Sequence, residues 1–257
     1  PFVERSGKQS RGRVVSLGLI GSTIRIIEET GSTNADLAQS VRDGDVREGQ
    51  WLVARRQNAG KGRQGREWFD GSGNFMGSTL VRLDEGDPPP ATLSFVAALA
   101  LHDAVFERLH SIVEPMLKWP NDLMIEGCKL SGILLEMVGD FVVVGIGVNL
   151  AQAPEIPGRL TCAISDYTNA PGVDEFSKEL AMAFEERVHD WRTIGLRETL
   201  TEFTICSQHW IGETTTVHDT DGSRIEGVFA GLEEIDGGLR LRLADGSQRV
   251  IRAGDIL

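Results

Sequence analysis

Three glycines and a run of bases crowd one short segment, RRQNAGKGRQGREWF at residues 55–69. Gly60, Gly62 and Gly65 have the G-x-G-x-x-G spacing, and Arg55, Arg56, Lys61, Arg63 and Arg66 stand against the single acid Glu67. Glycines let a backbone approach a ligand closely, and clustered bases meet several anionic oxygens at once. The chemistry indicated is the holding of a small phosphorylated or carboxylated molecule. Two familiar phosphate loops share this spacing, and the neighbouring residues exclude both. A dinucleotide-binding turn must open a helix, whereas Asp70, Gly71 and Gly73 interrupt the place where one would propagate. A nucleotide P-loop needs Ser or Thr after its Gly-Lys pair, and Gly62 stands there. What remains is a mobile glycine-rich loop whose bases can meet several oxygens of a ligand, or a solvated surface loop.

A second cluster lies in KWPNDLMIEGCKLSGILLE, residues 118–136, where Lys118, Asn121, Asp122 and Lys129 fall at strand ends around a turn at Glu126-Gly127. Pro120-Asn121-Asp122 is also ordinary turn chemistry, so these residues taken alone admit a structural reading as well. The five histidines, His102, His110, His189, His209 and His218, form no metal-ligand spacing and are read as surface or core residues. Cys128, Cys162 and Cys206 are odd in number and far apart, which fits neither a zinc site nor a disulfide framework and points to a reducing compartment. Cys128, beside Lys129, is read as a bystander thiol.

The elements that must position these groups follow from periodicity. TIRIIEE (23–29) and WLVARR (51–56) read as strands, and STNADLAQSV between them as a helix capped by Ser32 or Thr33. NFMGSTLVRL resumes extended structure after the glycine loop. Three prolines, 88–90, open the longest helix, through Leu93, Ala97, Ala100, Leu101, Ala104, Val105 and Leu109. MLKWPND, KLSGILLEMV and FVVVGIGVNL are extended, the last so apolar that both its faces should be covered. Helices follow over 174–192 and through Leu196, Leu200 and Phe203. Beyond residue 210, Asp221-Gly222, Asp236-Gly237 and Asp245-Gly246 are hairpin signals within alternating runs, which predicts a small antiparallel unit. The expected organisation is an N-terminal tail (1–22), an α+β unit with a mixed sheet (23–209) and a β module (210–257).

Composition narrows the function classes. With 257 residues, 40% hydrophobic and 25% charged, the chain can bury a substantial core yet has no apolar run near membrane-spanning length. Residues 11–21, RGRVVSLGLIG, resemble a short signal peptide, but Ser16 and two glycines break the apolar part and no A-x-A-like site follows. A net charge of -12 argues against a general nucleic-acid binder. A basic island in an acidic chain favours a small anion over a polymer.

GSTN (31–34), RQNAGKGRQGREWF (56–69), KWPND (118–122), GCKLSGILLE (127–136) and GIGVNL (145–150) together resemble, in order and spacing, the catalytic module of bacterial biotin protein ligases. The resemblance runs from about residue 24 to the C-terminus. It implies a class II synthetase-like fold, a mixed sheet with flanking helices, followed by a small SH3-like barrel. It also implies a two-step reaction: biotin and MgATP give biotinoyl-5'-AMP and pyrophosphate, and a lysine of a biotin carboxyl carrier protein then takes the biotinoyl group. By that resemblance Ser32, Thr33, Asn34 and Gln57 line the biotin end. Lys61, Gly62 and Arg63 form the loop that closes over biotin and the acyl phosphate, with Arg66 nearby. Lys129 contacts carboxylate and phosphate oxygens, and Lys129, Arg63 and Asp122 are the catalytic candidates. Trp68 and Asn149 hold the adenine, with Lys118 and Asn121 also on the nucleotide side. Asp122 is assigned to magnesium or to orienting the acceptor amine, and no further metal ligand is assigned. Lys61 stands where arginine is frequent in the family, so the charge is kept and its planar fork lost.

ATP, its Mg²⁺ and biotin are therefore expected as substrates, with no permanently bound cofactor. The setting implied is cytoplasmic, without DNA or membrane as partner, and a homodimer stays open. Lipoate protein ligases share the fold and adenylation chemistry, but their triple-glycine run is replaced here by AGKGRQGREW. A non-catalytic biotin-binding relative is the other alternative, which the intact basic loop and Lys129 disfavour. Residues 1–22 are too few for the winged helix-turn-helix that makes some members repressors, so the type without a DNA-binding domain is expected.

Overall fold

β-Branched and apolar runs bounded by glycine turns build one large sheet, and the longer helical periodicities pack over it. The computed structural model describes residues 13–16, 22–219 and 222–256. Most of the signal-like segment 11–21 and Asp221 of one hairpin signal lie outside them. The strands of the first sheet are β1 (Arg13–Ser16), β2 (Thr23–Thr30), β3 (Gln50–Gln57), β4 (Phe75–Arg82), β5 (Pro115–Lys118), β6 (Asp122–Ile125), β7 (Cys128–Val138) and β8 (Phe141–Val148). Their order is β1-β2-β3-β4-β8-β7-β6-β5. Only β2 and β3 run parallel, joined through the helix α1 (Thr33–Asp43), so the sheet is mixed.

Ser32 caps α1, accepting from the Ala35 N–H at 3.4 Å, and Gly44 ends it in the left-handed region. Leu37 and Ala38 of α1 cover Ile27, Leu52, Ala54, Leu80 and Val143 on one face of the sheet. The opposite face is covered by α2 (Leu93–Leu109) and α3 (Val173–Thr193), with α4 (Leu196–Ile205) behind them. β4 and β8, between the two layers, are buried almost throughout, which is why FVVVGIGV shows no alternation. No helix follows the glycine loop: the next regular element is β4. The proline run makes a 3-10 turn, Pro90–Thr92, before α2 begins at Leu93.

The second sheet is antiparallel, ordered β12-β11-β10-β9-β13, from β9 (Thr214–Asp219), β10 (Arg224–Leu232), β11 (Leu239–Arg242), β12 (Gln248–Ile251) and β13 (Gly254–Ile256). Gly237 and Gly246, at φ 73° and 83°, make two of its turns in the conformation the Asp-Gly signals require. Phe229, Leu232, Leu239 and Leu241 continue the main core. Trp119 donates to the Gly237 carbonyl at 3.1 Å, so the second sheet is bonded to the turn between β5 and β6.

One boundary differs from the sequence reading. Arg13–Ser16 fall in the segment read as a tail, yet they pair antiparallel with Thr23–Ile26 as an edge strand. The four residues are too few to show a periodicity, and only the exposed ladder of β2 selects their conformation.

Candidate active site

A cleft of about 900 Å³ opens over β4, β8, β7 and β6 on the side of the α1 N-terminus. Its floor is made of backbone. Gly132 and Gly147 are directly paired across β7 and β8, and Gly145 pairs with Ser78 of β4. A Cβ at Gly145 would fall inside the Asn34 amide, and one at Gly147 inside the Trp68 indole. Glycine inside a strand marks such a close approach. The roof is the segment between β3 and β4, where Asp70 accepts from the Gln57 N–H at 3.1 Å and Trp68 N–H donates to the Gly60 carbonyl at 3.0 Å. At its tip, Arg63–Gly65 form a 3-10 turn with Gln64 and Gly65 in the left-handed region.

The cleft gathers all fourteen residues singled out from the sequence: Ser32, Thr33, Asn34, Gln57, Lys61, Gly62, Arg63, Arg66, Trp68, Lys118, Asn121, Asp122, Lys129 and Asn149. By their bonding they fall into three groups. In the first, the Gln57 side-chain Oε1 accepts from the Thr33 main-chain N–H at 2.6 Å, satisfying one of the free N–H groups of the α1 N-terminus. The Thr33 and Ser78 hydroxyls are 2.7 Å apart, Ser78 donates to Asn34 Oδ1 at 2.6 Å, and Asn34 Nδ2 donates to Glu136 at 2.7 Å.

Cations make the second group. Lys129 Nζ lies 2.6 Å from Asp122 Oδ1, across the β6–β7 pair. Burial pushes the Lys118 ammonium below its ordinary value, against the opposing charges of Asp122 and Asp255. Arg63 donates to Asn121 Oδ1 at 3.0 Å, and Asn121 is itself fixed by donating to the Ile133 carbonyl at 2.6 Å.

The third group is short of partners. Trp68 Nε1 and Asn149 Oδ1 are buried and have none, one donor and one acceptor on residues that line the cleft. Asn149 is oriented by its other end, Nδ2 donating to the Cys162 carbonyl at 3.1 Å. Orphaned buried polar atoms in a cleft mark places a ligand satisfies.

Some residues behave differently from the sequence pattern. Of the five bases, Arg55 and Arg56 turn away from the cleft, to Asp174 at 2.7 Å and to Glu29 and Asp70. Asp255, from the second sheet, enters the cleft and binds both loop arginines, 2.9 Å from Arg66 and 3.4 Å from Arg63. His218, read as a surface or core residue, lines the cleft too, its Nε2 accepting from Arg224. Glu136, Ser78, Asp255 and the glycine floor were not singled out from sequence. Gly132, Gly145 and Gly147, interior to apolar strands, carried a signal that could have been read. Asp255 and Glu136 carried none. Cys162 is buried, and burial pushes its thiol up to about 12, so it stays protonated. No group of His, Cys, Asp or Glu among the described residues could by itself hold a metal ion.

Residues 26–149 match the model of the biotin/lipoate A/B protein ligase family. A biotin–acetyl-CoA-carboxylase ligase from Paracoccus denitrificans is 36% identical over 90% of this chain and 98% of its own length. Another from Mycobacterium tuberculosis is 32% identical over 100% of this chain and 96% of its own. Among solved structures, the biotin protein ligase from Aquifex aeolicus in complex with biotin and ATP superposes with a TM-score of 0.78. It is 26% identical, covering 91% of this chain and 97% of that one.

Proposed function

We propose, from the premise that this chain belongs to the biotin/lipoate A/B protein ligase family, a two-step biotin protein ligase reaction in this cleft. The chain is a biotin–protein ligase, an ATP-dependent enzyme. In the first step the biotin carboxylate oxygen attacks the α-phosphorus of ATP, the bond to the β-phosphate oxygen breaks, and pyrophosphate leaves. In the second, a carrier lysine amine attacks the acyl carbon of biotinoyl-5'-AMP, loses a proton, and AMP leaves.

The observation that carries this reading is that one cleft holds three sets of groups: a hydroxyl and amide pocket, a cluster of cations, and an orphaned donor and acceptor. Biotin's ring fits the Thr33, Asn34 and Gln57 end, and its carboxylate reaches Lys129. The α-phosphate meets Lys129, Lys61, Arg63 and Arg66, with Lys118 and Asn121 beside it, and adenine lies between Trp68 and Asn149. Two like charges at ~4 Å repel by about 4 kcal/mol at an effective dielectric of 20, so cations must be in place before attack. Asp122, paired to Lys129, positions that ammonium and has a carboxylate oxygen to offer the magnesium of MgATP or the incoming amine.

The carrier is the biotin carboxyl carrier domain of a carboxylase, as the carboxylase in the relatives' names suggests. A cytoplasmic setting is supported by the three free cysteines. No described helix is long and apolar enough to cross a membrane. Incubation with labelled biotin, MgATP and a purified carrier domain tests the whole reading. Label on one carrier lysine, dependent on ATP, is expected; ATP left unconsumed in the presence of biotin would overturn it.

A further inference from the structure

We propose that Glu136 sets the direction of hydrogen bonding along Asn34, Ser78 and Thr33, and so makes the end wall of the cleft selective for a ligand bearing N–H donors. This rests on the biotin reading above and adds a specificity residue to it. Glu136 sits on β7, outside the cleft lining, with Asn34 Nδ2 at 2.7 Å.

The direction follows from donor and acceptor inventory. A carboxylate only accepts, so the Asn34 amide must turn its NH₂ to Glu136 and its Oδ1 to Ser78. Ser78, fully buried, then spends its only proton on Asn34 Oδ1. The Thr33 proton goes inward as well, to Ser78 Oγ at 2.7 Å or to Gln57 Oε1 at 3.0 Å, both acceptors in this arrangement. The Thr33 and Ser78 protons are both spent within the row, so what these two hydroxyls have left for a ligand is oxygen lone pairs. Gln57 complements this. Its Oε1 faces the Thr33 N–H, which turns its Nε2, a donor, the other way, beside Gly60.

A wall of acceptors with one donor beside it matches a cyclic urea, which carries ring N–H groups and one carbonyl. A dithiolane ring has no N–H to give, and the buried lone pairs would stay unpaired against it. The row is also held in place: Asn34 lies on Gly145, where any Cβ would displace it, and Thr33, Asn34 and Ser78 are all buried. Glu136 touches no ligand by this account; it is a positioning residue that acts through Asn34.

The test compares wild type with Glu136→Gln and Glu136→Lys in ATP–pyrophosphate exchange and calorimetric binding. The acids are biotin and desthiobiotin, which share the ureido ring. Lysine only donates, so Glu136→Lys reverses the Asn34 amide, sends the Ser78 proton to Thr33, and removes lone pairs from the ligand. The expected result is about 10- to 100-fold weaker binding of both acids, with KM for ATP and kcat at saturating biotin within about twofold of wild type. Glutamine can present its carbonyl to Asn34, so Glu136→Gln should stay within about threefold. Biotin binding undisturbed by Glu136→Lys overturns the proposal, as does a parallel loss in KM for ATP and kcat, which a merely structural residue would give. Should Glu136→Lys fail to fold, Ser78→Ala breaks the same row and should weaken both acids while leaving KM for ATP unchanged; unaltered binding there also overturns it. A wild-type chain that binds no biotin refutes instead the reading on which this rests.

Discussion

Arg66 of the glycine loop and Asp255 of the last strand lie 2.9 Å apart, 189 residues distant in sequence. Asp255 Oδ1 also accepts from Arg63 at 3.4 Å, and the Gly254 carbonyl takes another Arg63 N–H at 3.3 Å. The C-terminal sheet therefore clasps the tip of the roof through the two side chains proposed above to meet phosphate. These pairs are partly exposed, so each is worth only about 0.2–1 kcal/mol. Asp255→Asn should accordingly speed release of biotinoyl-5'-AMP by about three- to tenfold while leaving its synthesis largely intact. Single-turnover trapping of the free intermediate measures this, and an unchanged release rate would remove the clasp from the mechanism.

The same clasp predicts a pH response. Burial raises the Asp255 carboxyl, but the Arg66 hydrogen bond and the charges of Arg63, Arg66 and Lys129 outweigh it and hold the group below the ordinary carboxylate range. A depressed native pKa contributes stability that is fully present above the unfolded value, about 3.9, and is lost as pH falls through the native one. The wild type should therefore lose stability relative to Asp255→Asn only below about pH 4. Thermal unfolding of both between pH 3 and 7 decides it; a gap that opens nearer neutrality would point to another group.

Lys129→Ala should depress the adenylation step by about 100- to 1,000-fold, the usual loss when a preorganised charge is removed from a developing anion. It also leaves Asp122, only 22% exposed at its side chain, without its cation next to incoming phosphates. Biotin-dependent pyrophosphate exchange at wild-type rate would refute this role.

Arg63→Gly should act differently, because Lys129 remains to serve the first step. It removes the bonds to Asn121, Asp255 and Gly254 and leaves Arg66 to hold the loop tip to the second sheet. Faster release of the acyl-adenylate with modestly slower synthesis is expected, read from the same single-turnover experiment. An equal loss in both steps would place Arg63 in the chemistry instead.

The glycine floor separates the two ends of the cleft. Gly147→Ala drives a methyl group into Trp68 and should raise KM for ATP by about tenfold or more, with biotin affinity kept. Gly145→Ala intrudes on Asn34 and should do the reverse. Calorimetry with each substrate, together with Trp68 fluorescence, tests the pair; matching losses for both ligands in both variants would mean the floor simply collapses.

Much of this molecule was legible in one dimension. Strand and helix periods, the Ser32 cap, the Asp-Gly turns and the absence of a helix after Gly65 are local preferences, set by backbone sterics and by which side chains alternate. Residue identity likewise announced the bases and Lys129, since charge and hydrogen-bonding capacity belong to the side chain wherever it lies, whereas Asn149 was reached only through the family resemblance. The tertiary structure alone decided their partners. Arg55 and Arg56 belong to the same basic run as Arg63 and Arg66, yet β3 pairing delivers them to acids elsewhere. Asp255 and Ser78 reach the cleft, and Glu136 reaches Asn34 behind it, through strand order and register, which bring distant chain segments within 3 Å of one another. No local propensity encodes such contacts, because they depend on how separate hydrophobic faces are buried together, and it is this shared burial that orders the cleft.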